Sequence, residues 1–382
     1  MIERYIISLV RKRLAMFPAV TLLGPRQCGK TTLAQSLTDT YFNLEAPEEI
    51  VRLDATWPDI MKSDRLAIFD EAQHWPELFA RLRGEIDKER HRNGRFLLLG
   101  SIAPSLMSGI SESLAGRMAM VDLAPFSLLE TGRINILWRF GGFPDGGVIG
   151  PPEAFPVWQE NYLRMMCERD LPLWGLPAKP TLTKRLLQMT AAEHGSILNL
   201  SKLGQSLGLS HHTVESYLDY LQGAYLIRRL PPLHANLRKR LVKAPRLYWR
   251  DSGLLHALLR LDPDGDLYSR PWAGASWEGF VIEEIIKARL ARGDSFDASF
   301  FRSHDGWEAD LVIDDVRGRE VIEIKLTSAP GQEIIQRLTK VATMVGGNLK
   351  TVICRIAEPI LSDDLQVTNL PAFLSSLSPV VT

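Results

Sequence analysis

"GPRQCGKTT", residues 24–32, decides how the first third of this chain is read. Gly24 and Gly29 bracket four residues, and Lys30, Thr31 and Thr32 follow at once. The five residues before the stretch, Ala19 to Leu23, are apolar and partly β-branched, as a buried strand requires. After it, Leu33 and Leu37 fall on one face of a helix. Strand, glycine loop and helix in that order turn Gly-x-x-x-x-Gly-Lys-Thr into a phosphate cradle rather than a chance turn. The expected nucleotide contacts are Gly24, Gln27, Cys28, Gly29, Lys30, Thr31 and Thr32. The glycines permit a loop whose amides face phosphate oxygens, and the helix N-terminus adds positive potential. Lys30 would reach the β- and γ-phosphates, and Thr31 would offer its hydroxyl to Mg²⁺.

Such a cradle needs a carboxylate partner further along. "RLAIFDEAQ", residues 65–73, is an apolar strand ending in Asp70 and Glu71. Asp70 is placed to hold Mg²⁺ with Thr31, and Glu71 to polarise an attacking water. A protein that only binds nucleotide needs the first acid and not the second, so the pair points to hydrolysis. A third strand, "RFLLLGS", ends at Ser101, placed either to sense the γ-phosphate or to cap a helix. Arg117, between a short helix and a further strand, either stabilises transition-state charge on a neighbouring subunit's nucleotide or makes a structural ion pair.

At 382 residues the chain has room for two or three domains. Lysine and arginine number 45 and aspartate and glutamate also 45, so no global charge draws it to nucleic acid or an acidic membrane. Any such contact must rest on a local patch. The three cysteines (Cys28, Cys167, Cys354) lack metal-ligand spacing and fit a reducing cytoplasm. Cys28 lies near a helix N-terminus that would lower its thiol pKa, which raises a redox switch beside the plainer reading of a tolerated small residue. No run of about 18 uncharged apolar residues suggests a membrane span. The opening residues read as an amphipathic helix ahead of the first strand.

Glycine and proline concentrate over residues 139–156, which places the first domain boundary near 150. The expected division is 1–150, 151–250 and 251–382. Residues 197–230 read as helix, tight turn at Gly208, and a second helix capped by Ser210, the spacing of a helix-turn-helix. Its exposed face offers His211, His212, Thr213 and Glu215, a poor set for reading bases. From Arg228 to Arg250 the chain carries eight cations and no acid before Asp251: Arg228, Arg229, Arg238, Lys239, Arg240, Lys243, Arg246 and Arg250. That local run, with Tyr248 and Trp249 interleaved, suggests nucleic-acid contact centred on Arg238, Lys239, Arg240 and Lys243.

The last third combines a helix carrying Glu278, Glu283 and Glu284 with a strand and a hairpin turned through residues 315–318. Asp310 heads one hairpin strand; Glu323 and Lys325 share a face of the next. Glu278, Asp310, Glu323 and Lys325 together match what Mg²⁺-dependent phosphodiester cleavage needs, carboxylates for the metal and a lysine for developing charge. The plainer alternative is a hairpin with a Glu–Lys pair.

Taken in order, "LLGPRQCGKTTLA", "LAIFDEAQ", "FLLLGS", "ESLAGR" and "GGFP" resemble the bacterial and archaeal ATP-binding proteins of the AAA+ class that carry a C-terminal DUF4143 domain. "YLDYLQGAYLIRRL", "APRLYWRDSGL", "SWEGFVIEE" and "EIK" resemble that second domain, with Ser252 where relatives usually carry threonine. The resemblance implies an α/β fold: a P-loop NTPase parallel sheet of AAA+ type, a helical and winged-helix unit, and an α/β restriction-endonuclease-like module of the PD-(D/E)xK kind. It implies ATP and Mg²⁺ as cofactors, DNA as partner by structure rather than by sequence, and homo-oligomers, in some cases rings. Three readings compete: a DNA-coupled ATPase, an ATP-gated nuclease, and a nucleotide-switched scaffold that binds no DNA.

Overall fold

The computed structural model describes residues 2–100, 114–233 and 242–377, which fall into two compact units divided between Phe126 and Ser127. Ser101, Arg238, Lys239 and Arg240 lie outside the described residues. The first unit opens with helix α1 (Ile7–Met16), then strand β1 (Ala19–Leu23), α2 (Lys30–Gln35), β2 (Tyr41–Asn43), α3 (Pro47–Lys62), β3 (Ala67–Asp70), α4 (Glu77–Lys88), β4 (Phe96–Gly100) and β5 (Met118–Asp122). The strands form one parallel sheet in the order β2-β3-β4-β1-β5. Every residue of β1, β3 and β4 is buried, the continuous apolar run of a strand covered on both faces. Phe42, Phe69 and Phe96 line up across three neighbouring strands, with ring centroids about 6 Å apart. The connection from β1 to α2 and the end of β3 thus share the carboxyl edge of the sheet, where parallel sheets place ligands.

The second unit begins at Ser127, earlier than the boundary expected near 150. Trp138 packs edge-on against Trp277, and Phe143 belongs to the helical core, so residues 127–150 are held by this unit's apolar side chains. The expected cut at 250 fails for the same reason: Leu254 and Leu255 share that helical core with Leu218, Leu221 and Leu247. Within it α5 (Leu200–Leu207) is capped by Asn199, which accepts from the Lys202 amide at 2.9 Å. Gly208 takes a left-handed conformation, and Ser210 caps α6 (His211–Gly223) by accepting from the Thr213 amide at 3.1 Å. Strands β6 (Ile227–Leu230) and β7 (Arg246–Trp249) then pair antiparallel.

Helix α7 (Ala273–Arg292) leads into a mixed sheet of β8 (Phe296–Arg302), β9 (Glu308–Asp315), β10 (Gly318–Ile324), β11 (Leu349–Ile353), β12 (Ile360–Leu361) and β13 (Leu365–Thr368), ordered β12-β13-β11-β10-β9-β8. The β9–β10 hairpin closes with Asp315 opposite Gly318, at the expected turn. Helix α8 (Gln332–Val345) bridges the parallel pair β10 and β11, burying Leu338, Val341, Ala342 and Val345. No helix among the described residues is long and apolar enough to cross a membrane.

Candidate functional site

The loop between β1 and α2 is built by close packing as much as by ligand chemistry. A Cβ on Gly24 would lie 2.2 Å from the Leu123 carbonyl oxygen, so only glycine lets the loop leave β1 beside the end of β5. Gly29 has φ +97°, and Gln27 also has positive φ, at 60°. Arg4, from the segment ahead of α1, donates to the Cys28 carbonyl at 2.9 Å and the Ala124 carbonyl at 2.6 Å, its guanidinium stacked over Phe126. Cys28 is fully buried and its thiol approaches the Leu123 carbonyl at 3.5 Å. Burial pushes that thiol above its ordinary pKa, which removes the basis for a redox switch there. Gln27 and Thr32 are exposed at the loop rim.

Lys30 is buried, and its ammonium donates to the Gly24 carbonyl at 3.0 Å and the Pro25 carbonyl at 2.9 Å. Those carbonyls are exchangeable partners for a cation that a phosphate would attract more strongly. Thr31 Oγ1 donates to Asp70 Oδ2 at 2.6 Å. Asp70 also accepts from the Tyr41 hydroxyl at 2.8 Å and the Glu71 amide at 2.9 Å. Glu71 has positive φ, 51°, a conformation that costs a non-glycine residue energy, and Gln73 donates to its carboxylate. A hydroxyl and a carboxylate in contact, both hard oxygen donors, suit Mg²⁺; a lysine ammonium inside a glycine loop suits phosphate. The residues present therefore fit a magnesium nucleotide. Arg117 is held elsewhere: it pairs two-pronged with Asp87 on α4, at 2.8 and 2.9 Å. The residues that pattern reading missed are Arg4 and Tyr41. Neither lies in the glycine motif, although Tyr41 and Phe42, two aromatics in a row, mark the start of β2.

The second unit brings the other four named residues together. Glu278 comes from α7, Asp310 from β9, and Glu323 and Lys325 from the end of β10 and the residue beyond it. Lys325 Nζ lies 2.6 Å from Glu323 Oε1 and 3.4 Å from Asp310 Oδ2; the Ile324 amide donates to Asp310 Oδ2 at 2.9 Å. Arg246 lies 3.2 Å from Glu278 and 3.4 Å from Asp310, and the Tyr248 hydroxyl donates to Glu278. Burial first, then the Asp310 charge, pushes the Glu278 and Glu323 carboxyls above the ordinary glutamate range. Glu283, five residues beyond Glu278 on the same helix, goes the other way. Burial opposes its charge, but Arg228 and Arg250 hold it down to about 2.

The basic run reads differently once folded. Arg228 and Arg250 are paired with Glu283, Arg229 with Asp219, and Arg246 with Glu278, Glu308 and Asp310. Acids brought from elsewhere in the chain pair with four of the five cations of the run that lie among the described residues. Lys243 is exposed. The α6 face carries His211, His212 and Glu215 to solvent, as expected.

Comparison with known proteins adds the following. A family described as an AAA domain matches residues 16–132, a domain of unknown function (DUF8612) matches 133–265, and a domain of unknown function (DUF4143) matches 273–373. The uncharacterized protein Rv2008c of Mycobacterium tuberculosis is 37% identical over 328 residues, 84% of this chain and 73% of its own length. The uncharacterized protein Mb2031c of Mycobacterium bovis matches to the same extent. Among solved structures, the Walker-type ATPase PABY2304 of Pyrococcus abyssi aligns with a TM-score of 0.48 at 15% identity, covering 68% of this chain and 96% of that one.

Proposed function

The chain belongs to the family of AAA-type P-loop proteins with a C-terminal DUF4143 domain, and from that premise we propose that it hydrolyses ATP and couples the turnover to binding or remodelling DNA. The observation that carries the first half is the contact of Thr31 with Asp70 at 2.6 Å, with Glu71 next in line and Lys30 in the loop. In this reading Lys30 leaves the Gly24 and Pro25 carbonyls to hold the β- and γ-phosphates. Thr31 and Asp70 hold Mg²⁺, which neutralises charge on the phosphates when bound. Glu71, whose backbone N–H donates to the Asp70 carboxylate at the sheet edge, orients the attacking water and accepts its proton. Arg4 and Tyr41 keep the loop and Asp70 in place.

The DNA half rests on a capped helix-turn-helix followed by the two-stranded β6–β7 sheet, a winged-helix arrangement, and on the cations of residues 238–243. Without arginine or lysine on the outer face of α6, recognition falls to DNA shape and backbone charge rather than base edges. The test is a gel shift across salt concentrations. Reversing Arg238, Lys239, Arg240 and Lys243 to glutamate should weaken binding and flatten its salt dependence. Unchanged binding would refute the DNA half. A second reading, a nucleotide-switched scaffold acting on protein, is favoured by one observation: four of the eight cations in the basic run are spent on the chain's own acids.

A further inference from the structure

The resemblance to PD-(D/E)xK nucleases implies a divalent metal at Glu278, Asp310 and Glu323, and the side chains present do not fit one. We propose that Arg246 is the resident cation of this cluster, occupying the place a divalent ion would take, so that the C-terminal module neither binds metal nor cuts DNA. The Arg246 side chain is only 6% exposed, and its guanidinium lies over the Phe300 ring at 5.0 Å. Nη1 sits 3.2 Å from Glu278 Oε1 and 3.4 Å from Asp310 Oδ1, and Nη2 sits 3.1 Å from Glu308 Oε2. One guanidinium therefore spans three carboxylates from two elements, α7 and β9. The second oxygen of Asp310 is already engaged by the Ile324 amide and Lys325. Among the described residues, no group of three histidine, cysteine, aspartate or glutamate side chains is arranged to hold a metal ion.

The guanidinium is also fixed in position. Arg246 opens β7, where its backbone pairs with Leu230 on one side and is bridged to Ile197 on the other. Its guanidinium cannot swing aside without leaving Glu278, Glu308 and Asp310 and its seat over Phe300. The cluster already holds two cations, Arg246 against Glu278, Glu308 and Asp310, and Lys325 against Asp310 and Glu323. A divalent ion would compete with both for the same oxygens and would meet the repulsion of the guanidinium.

The test is Mn²⁺ titration followed by electron paramagnetic resonance on the full chain without nucleotide. Asp70→Asn serves as the background, to remove the P-loop carboxylate. The expected result is no Mn²⁺ site attributable to the cluster and no cleavage of supercoiled plasmid in Mn²⁺. Adding Arg246→Ala should raise apparent Mn²⁺ affinity about tenfold or more, and Asp310→Asn on top should abolish the gain. A Mn²⁺ site or plasmid cleavage in the background protein that Asp310→Asn removes would overturn the proposal. So would a folded Arg246→Ala protein that gains no Mn²⁺ site. If Arg246→Ala does not fold, the comparison of the background protein with its Asp310→Asn variant decides alone.

Discussion

Asp70 and Asp310 begin from the same reading and end differently. Each is a nearly fully buried acid on a strand, and in sequence each is the carboxylate of a metal site. Around Asp70 the donors are neutral: the Thr31 hydroxyl, the Tyr41 hydroxyl and the Glu71 amide. Around Asp310 two of the donors are cations, Arg246 and Lys325, and the third is the Ile324 amide. Neutral donors leave the carboxylate charge available to an incoming Mg²⁺; cationic donors consume it. Whether an acid is a metal ligand depends on the charge of what the fold sets beside it, which no local motif records.

The comparison can be broken first on its catalytic side, at the acid beside Asp70. Glu71→Gln should lower ATP turnover about 100-fold or more while nucleotide binding persists, measured by steady-state hydrolysis beside fluorescent-nucleotide titration. Equal losses in binding and turnover would make Glu71 a structural residue. On the other side, Arg246→Ala leaves Asp310, Glu308 and Glu278 without their shared cation. Chemical denaturation should show a loss of about 3–5 kcal/mol, the scale for removing one partner of a buried ion pair. A near-neutral result would mean that the cluster relaxes or takes up solvent, and the contrast with Asp70 would weaken.

A smaller, graded effect comes from pH. Glu278 and Glu323 ordinarily titrate near 4.5; in the fold they are pushed up to about 8 and about 7. Folding favours their protonated forms, so their contribution is fully present below about pH 4.5 and is lost as pH rises through 7 to 8. Stability of the second unit should therefore fall between about pH 4.5 and pH 8, by at most about 1.4 kcal/mol per pH unit for each proton released. Glu278→Gln should flatten that slope. Glu283, held down to about 2, has the opposite sense: its contribution is present above about pH 4.5 and is lost as pH falls toward 2. Melting temperatures across pH in the parent and the Glu278→Gln variant separate the two. A slope unchanged by the substitution would place the titration elsewhere.

What could be read from sequence follows from how local each signal is. The phosphate loop, the strand ending in Asp70 and Glu71, the Ser210 cap and the turn at 315–318 are all set by residues within about ten positions of one another, and they fold as expected. The ion pairs of the basic run join residues 32 to 64 positions apart for Arg246 and 55 positions apart for Arg228. A stretch without local acids looks free in sequence, yet four of its cations among the described residues are paired in space. Tyr41 was missed for the same reason, since its partner Asp70 lies 29 residues on. The boundary expected near 150 rests on glycine and proline, which mark bends, whereas Trp138 settles which core that segment joins, as Leu254 and Leu255 do for the segment after 250.

The most direct test of the central claim is steady-state ATP hydrolysis by the full chain. It should be measured alone and with single-stranded, duplex and four-way-junction DNA, with Lys30→Ala as control. Turnover should fall about 1000-fold in Lys30→Ala and rise in the parent with at least one of the three DNA structures. Turnover that survives Lys30→Ala would contradict the catalytic site, and turnover indifferent to all three DNAs would contradict the coupling.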